Sequence, residues 1–198
     1  MGEPHHQKAM EKKYAVLDQD GNPAGTLLLA ICEEYAALDA VMPFRRLEGF
    51  AASEHLPSPA SFGFQYFKGQ LPVTEIYPIA VLEDVLTDPA KRRRGIGRRA
   101  VRGFRAVADE YGCRLGLLRI GTELDGELQT EQEWRRRFYE SEGWRAFQSP
   151  PIKGLFVIWM YHLLPPLSQA ERELRNCLTE KLLREDPCGA GPVGEELG

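Results

Sequence analysis

The stretch Arg92-Arg93-Arg94-Gly95-Ile96-Gly97-Arg98-Arg99-Ala100 decides how the rest of the chain is read. Upstream, Val81-Leu82-Glu83-Asp84-Val85-Leu86-Thr87 reads as a strand, because apolar and β-branched residues predominate until Asp88-Pro89 breaks the run. Downstream, Ala100, Val101, Phe104, Val107, Ala108 and Tyr111 recur at one-turn spacing and so share one face of a helix. The glycines therefore mark a strand-to-helix turn. Gly95 and Gly97 carry no Cβ to hold a ligand off the backbone, and the first N–H groups of a helix have no partner within it. With the positive end of the helix dipole, those donors form a seat for a phosphate. Arg92, Arg93, Arg94 and Arg98 add fixed charge and forked donors that match phosphate oxygens.

Composition narrows the ligand. The chain carries a net charge of −4, yet Lys91, Arg92, Arg93, Arg94, Arg98, Arg99, Arg102 and Arg105 form a basic island with no acid among them. Such an island in an acidic protein suits a compact polyanion better than a long nucleic acid, which favours a basic face overall. A length of 198 residues suits one domain with a full core. The longest apolar runs, Thr26 to Cys32 and Leu155 to Leu164, fall short of the roughly 20 residues that a membrane helix needs. Met1-Gly2-Glu3-Pro4-His5-His6 lacks the charged-then-apolar order of a signal peptide, so a cytoplasmic protein is expected. Cys32, Cys113, Cys177 and Cys188 are scattered without C-x-x-C spacing or clustered histidines, which predicts neither a disulfide framework nor a metal site.

Arg92, Gly95 and Gly97 also fill the places of the acyl-CoA-binding motif of the GNAT superfamily of N-acyltransferases, written as Gln or Arg, two residues, Gly, one residue, Gly or Ala. The strand Leu82 to Pro89 stands before it at the family's spacing. Further on, Phe138-Tyr139-Glu140-Ser141-Glu142-Gly143-Trp144 resembles the second signature, an aromatic pair ending a helix before a Gly-aromatic strand start. Two ordered signatures between Ile79 and Leu164 are more specific than one glycine pattern. The resemblance implies an α/β fold: a mixed, mostly antiparallel central sheet with a splayed parallel strand pair, flanked by helices. It implies an acetyl-CoA-dependent N-acyltransferase acting on an amine acceptor that the sequence does not name.

Other readings compete. Gly95-x-Gly97-x-x-Ala100 fits a dinucleotide fingerprint, but a polar, arginine-rich segment separates the strand from the glycines. A glycine turn with a merely solvated basic helix face is a further alternative. A CoA-binding sensor that kept the seat without the chemistry, and a nucleic-acid binder, are two more. The arginine face lacks the interleaved aromatics that the last would use.

Taken in order, Tyr14 to Leu17 and Gly25 to Ile31 read as a hairpin joined through Asp20-Gly21-Asn22-Pro23. A helix is expected between Glu33 and Met42. The family usually places two helices between its first two strands, so this departure bears on the acceptor site. Phe62, Phe64 and Tyr66 alternate as in a strand. Residues 69–78 read as a loop, and Ile79 to Thr87 and Leu115 to Ile120 as strands. A long helix lies between those strands, which makes them parallel neighbours. Thr130-x-x-Glu133 predicts a helix start, with Trp134 and Phe138 on its buried side and its end at Gly143. Trp144 to Phe147 and Leu155 to Leu164 close the sheet, completing a domain over residues 12–166. Ser168-x-x-Glu171 caps a C-terminal helix over residues 167–184, whose face of Ala170, Leu174, Cys177, Leu178 and Leu182 is covered by the domain or in a homodimer. A disordered tail is expected over residues 185–198.

Each chemical requirement of acyl transfer has a candidate. Glu83 matches the family's frequent acidic residue on this strand and would relieve the amine of its proton. Because Glu83 and Asp84 are adjacent in a strand, alternation predicts that only one lines the cleft. Val85, Leu86 and Thr87 correspond to the strand-end backbone groups that pair with pantetheine and the acyl carbonyl, one N–H serving as an oxyanion donor. Tyr139 matches the tyrosine that protonates the CoA sulfur. Arg92, Arg93, Arg94, Gly95, Ile96, Gly97 and Arg98 are expected around the diphosphate. Gln132 falls where the family often has asparagine, and Arg135 replaces a small residue.

Overall fold

A computed structural model describes residues 9–42, 68–72, 75–121, 126–147 and 157–185. β1 (Met10–Leu17) and β2 (Pro23–Cys32) form the expected antiparallel hairpin. Asp18 shapes its turn: the carboxylate accepts from the amides of Asp20 (3.1 Å) and Asn22 (2.9 Å), mimicking a backbone turn. α1 (Tyr35–Val41) follows, then β3 (Ile79–Thr87), a 3-10 turn at Pro89–Lys91 and α2 (Ile96–Glu110). The remaining elements are β4 (Leu115–Gly121), α3 (Gly126–Ser141), β5 (Arg145–Ala146), β6 (Val157–Leu163), α4 (Gln169–Leu182) and β7 (Leu183–Glu185).

The strands make one sheet in the order β5-β6-β4-β3-β2-β1-β7. Every adjacent pair is antiparallel except β3 and β4, the parallel neighbours joined through α2. Alternate residues feed two cores. Leu27, Leu29, Ala80, Leu82, Leu118 and Met160 pack under α2, whereas Ala30, Cys32, Ile79, Val81, Leu115 and Trp159 pack under α1. The α2 face read from the sequence is the one that is buried, with Ala100, Val101, Phe104, Val107 and Ala108 all enclosed.

The C-terminal segment departs from expectation in two ways. Ser168 does cap α4 in a reciprocal box with Glu171. However, of the expected face Ala170, Leu174 and Cys177 are exposed, while Leu182 lies on the more covered side together with Arg175 and Thr179. Arg175 pairs with Asp109 of α2. Beyond the helix, Leu183–Glu185 adds β7 to the free edge of β1, where the sequence pointed to a helix end and a loose tail. Gly103 makes room for this docking, since a Cβ there would lie 2.7 Å from Leu183. Residues past 185 lie outside the described residues, as does the expected strand at Phe62, Phe64 and Tyr66.

α3 also differs. It begins at Gly126, so Thr130 sits inside the helix rather than capping it, and Glu133 pairs with Arg137 (3.1 Å). Trp134 is 65% exposed, not buried. No helix among the described residues is long and apolar enough to cross a membrane.

Candidate functional site

The parallel pair opens partway along its length. Pairing between β3 and β4 runs from Ile79↔Leu115 to Leu82↔Leu118 and then stops. Beyond it, Arg119–Gly121 stay bonded to β6, and Asp84–Thr87 stay bonded to β2. The cause lies at Glu83. Leu29 of β2 pairs with Leu82 and Leu28 with Asp84, which leaves Glu83 as an extra residue, a β-bulge that bends β3 away from its neighbour.

The bulge also revises the alternation. Asp84 lies opposite Leu28, whose neighbours Leu27 and Leu29 belong to the core under α2, so Asp84 faces the other side. Glu83 joins it there, because a bulge places both of its residues on roughly one side. Both side chains are exposed. Although open to solvent, the Glu83 carboxyl is pushed up, first by partial desolvation and then by the charges of Glu11 and Asp84.

Past the bulge, backbone direction can be followed from Asp88, whose N–H donates to the Ala24 carbonyl of β2 (3.0 Å). Groups two residues apart point the same way, so Leu86 also turns its N–H and C=O toward β2. Val85 and Thr87 therefore direct theirs into the gap, where no strand pairs with them among the described residues. Of the three strand-end residues read from the sequence, two present backbone groups to the gap and Leu86 does not.

At the end of β3, Lys91 bonds Asp18 (2.8 Å) and the Pro23 carbonyl (3.0 Å), anchoring the turn to the β1–β2 connection. Arg92, Arg93, Arg94 and Gly95 are all exposed. The three arginine side chains make no hydrogen bond or ion pair among the described residues. Arg93 (φ +63°) and Gly95 (φ +77°) are left-handed, the second at no steric cost. No amide from Arg93 to Arg98 donates to a described backbone carbonyl; the first to do so is Arg99, to Gly95 (3.1 Å). Free amides and unpaired guanidinium groups thus meet at the N-terminus of α2, beside the gap.

Other members of the basic island hold the fold together. Arg99 donates to the carbonyls of Leu17 (2.6 Å), Asp18 (3.2 Å) and Lys181 (2.7 Å), tying α2 to β1 and α4. Arg98 reaches Glu142 (3.0 Å), so its guanidinium is engaged while its amide is not. At Gly97 a Cβ would sit 3.3 Å from Phe138, so its small size makes room for that ring.

Tyr139 lies partly buried against the core under α2, edge-on to Phe138 (5.1 Å) and Trp144 (6.0 Å). Desolvation pushes its phenol up to about 12; Arg135 opposes the shift and Asp84 adds to it. Sensitivity to Asp84 brings the tyrosine and the bulge into one electrostatic neighbourhood. Gln132 is buried, at 4% exposure, and already engaged within the protein. No group of three or more metal-ligating side chains occurs among the described residues. The thiols of Cys32 and Cys113 are buried and pushed up to about 12 by desolvation, which makes them poor nucleophiles. The sequence held no sign of the bulge or of the strained Arg93, since both are backbone features without a residue code.

No known family profile matches the chain, and no curated protein matches it. Among solved structures, it is similar to a protein assigned as an acyl-CoA N-acyltransferase from Klebsiella pneumoniae, with 14% identity over 78% of this chain and 73% of that one, at a TM-score of 0.45. It is similar to a GNAT-family acetyltransferase from Staphylococcus aureus, with 13% identity over 78% and 68%, at a TM-score of 0.42. Chaetomium thermophilum Naa20 in complex with a bisubstrate analogue shares 17% identity over 82% and 68%, at a TM-score of 0.41. On the topology of its own sheet, a mixed array in which the one parallel pair among the described strands parts beside a glycine turn at a helix N-terminus, the chain has a GNAT-type fold.

Proposed function

We propose that this protein transfers an acetyl group from acetyl-CoA to a primary amine by direct attack, without a covalent enzyme intermediate. One observation carries the reading: amides and three arginine side chains that have no partner among the described residues converge where the β3–β4 pair opens. That arrangement fits a ligand with a diphosphate at one end and a narrow arm at the other. Bound acetyl-CoA would supply an acyl group already activated as a thioester.

The remaining demands fall on residues of this chain. A lysine-like amine at pH 7 is mostly protonated, and neutralising it costs about 4–5 kcal/mol. Glu83, its carboxyl raised by partial desolvation and by the charges of Glu11 and Asp84, accepts that proton directly or through a water. The nitrogen then bonds the acyl carbon, the C–S bond breaks with its electron pair leaving on sulfur, and a second proton, lost from the nitrogen as the amide forms, ends on that sulfur as the CoA thiol. The N–H groups of Val85 or Thr87 stabilise the negative charge growing on the carbonyl oxygen. Tyr139 donates a hydrogen bond to the departing sulfur. With its phenol near 12 and a thiol near 8.5, full proton transfer is uphill by about 5 kcal/mol, so the bond is shared rather than passed over.

Release of CoA measured over a panel of amines, peptides and aminoglycosides tests the reading. Turnover with any of them, slowed in Tyr139→Phe and Glu83→Gln, supports it. CoA binding with no turnover on any amine would leave a CoA-sensing module in its place.

A further inference from the structure

Trp134 stands out among the described aromatic side chains because it is 65% exposed, where Trp144 and Trp159 are buried. A bare indole in water forfeits the burial that makes tryptophan favourable, and tryptophan is enriched where a protein meets a partner. Its surroundings say what it could recognise. One face of the indole stacks on Phe138, with centroids 6.1 Å apart and planes 12° apart. Phe138 in turn lies against Gly97 in the first turn of α2.

The helices fix the direction. α2 joins β3 to the parallel β4, and α3 joins β4 to β5, which points the same way as β4 because both pair antiparallel with β6. Both helices therefore start at the same edge of the sheet. Trp134 precedes Phe138 by four residues, so it lies about one turn, roughly 5 Å, nearer that edge. This carries it past Gly97 to the level of the exposed turn Arg93–Gly95.

We propose that the open face of Trp134 stacks on the adenine at the nucleotide end of the donor. The inference rests on the donor reading above. If the diphosphate sits on the amides of α2 and the thiol arm enters the β3–β4 gap, the nucleotide must continue the other way, outward past Phe138 toward Trp134. A purine presents a flat π face that an aromatic ring holds without hydrogen bonds, and neighbouring guanidinium groups favour the attached phosphates.

Calorimetric titration of the full chain with CoA and with 4′-phosphopantetheine, which lacks the nucleotide, tests this. Trp134→Ala should weaken CoA roughly tenfold while leaving phosphopantetheine unchanged, and Trp134→Phe should recover part of the loss. In the wild type, CoA and adenosine 3′,5′-bisphosphate should quench an indole signal that Trp134→Phe lacks, and phosphopantetheine should not. CoA affinity equal in the wild type and Trp134→Ala would overturn the stacking and leave the donor reading intact. Failure of CoA to bind the wild type at all would overturn both.

Discussion

Arg93 holds a left-handed backbone although it is not glycine, and a two-variant comparison shows what that conformation is for. An L-residue pays about 1–2 kcal/mol to sit there, whereas glycine adds about 0.5–1 kcal/mol of unfolded-chain entropy. Arg93→Gly should therefore raise stability by about 0.5 kcal/mol. Arg94 has no positive φ, so Arg94→Gly gains nothing in return and should lose about 0.5–1 kcal/mol. In a chain of this size the two variants should differ in Tm by roughly 2–6 °C. Both side chains are exposed, so neither loss disturbs a packed contact. Ligand affinity should behave differently. Each substitution removes one charge-assisted contact, about 1 kcal/mol after solvent screening, so each should weaken CoA about fivefold. The assay is thermal unfolding with and without CoA, backed by calorimetry. An equal drop in Tm for the two variants would refute the strain argument, and unchanged CoA affinity in both would refute the role given to the arginines.

Tyr139→Phe should lower kcat by about ten- to a hundredfold with KM for acetyl-CoA little changed, because the hydrogen bond matters most as charge reaches sulfur. With its phenol near 12, Tyr139 should contribute no limb to the pH–rate profile between pH 6 and 10; a limb that vanishes in the phenylalanine variant would count against this. Glu83→Gln should abolish the acid limb of the same profile, which lies above the ordinary carboxylate range because the Glu83 carboxyl is raised. The stability effect has the opposite sign. A raised carboxyl binds its proton more tightly when folded, so folding is most favoured at low pH and loses ground as pH rises through the folded value. Removing the charge should thus leave Glu83→Gln at least as stable as the wild type at pH 7, and a clear drop in Tm would contradict the repulsion from Glu11 and Asp84. Gly103→Ala should destabilise by about 1 kcal/mol, the overlap with Leu183 outweighing the gain in helix propensity, and hydrogen exchange at Leu183–Glu185 should speed up.

Much of the architecture could be read from residues that repeat at the right period. Ile79–Thr87, Leu115–Gly121 and α2 sit where periodicity placed them, because each has a clean apolar pattern and a strong breaker at its end. Tertiary context overrode local signals elsewhere. Thr130 and Glu133 have the spacing of a capping box, but the helix already runs through them, and Glu133 turns to Arg137 instead. Apolar spacing along α4 predicts an inner face through Ala170, Leu174 and Cys177, yet the side that meets α2 carries Arg175, paired with Asp109. At the site, the glycine turn at the start of α2 and the arginines flanking it were legible in the sequence. What separates Lys91 and Arg99, which brace the fold, from Arg92, Arg93 and Arg94, which face solvent, is the position of the Asp18 turn 73 residues earlier in the chain, and no local pattern reports that.

Titration calorimetry of the full chain with CoA, run at two salt concentrations beside the double variant Arg93→Glu/Arg94→Glu, bears most directly on the seat at the start of α2. One-to-one binding at micromolar Kd, weaker at high salt and lost in the double variant, is expected. A wild-type protein that gives no binding heat with millimolar CoA, or a double variant that binds as well as the wild type, would contradict it.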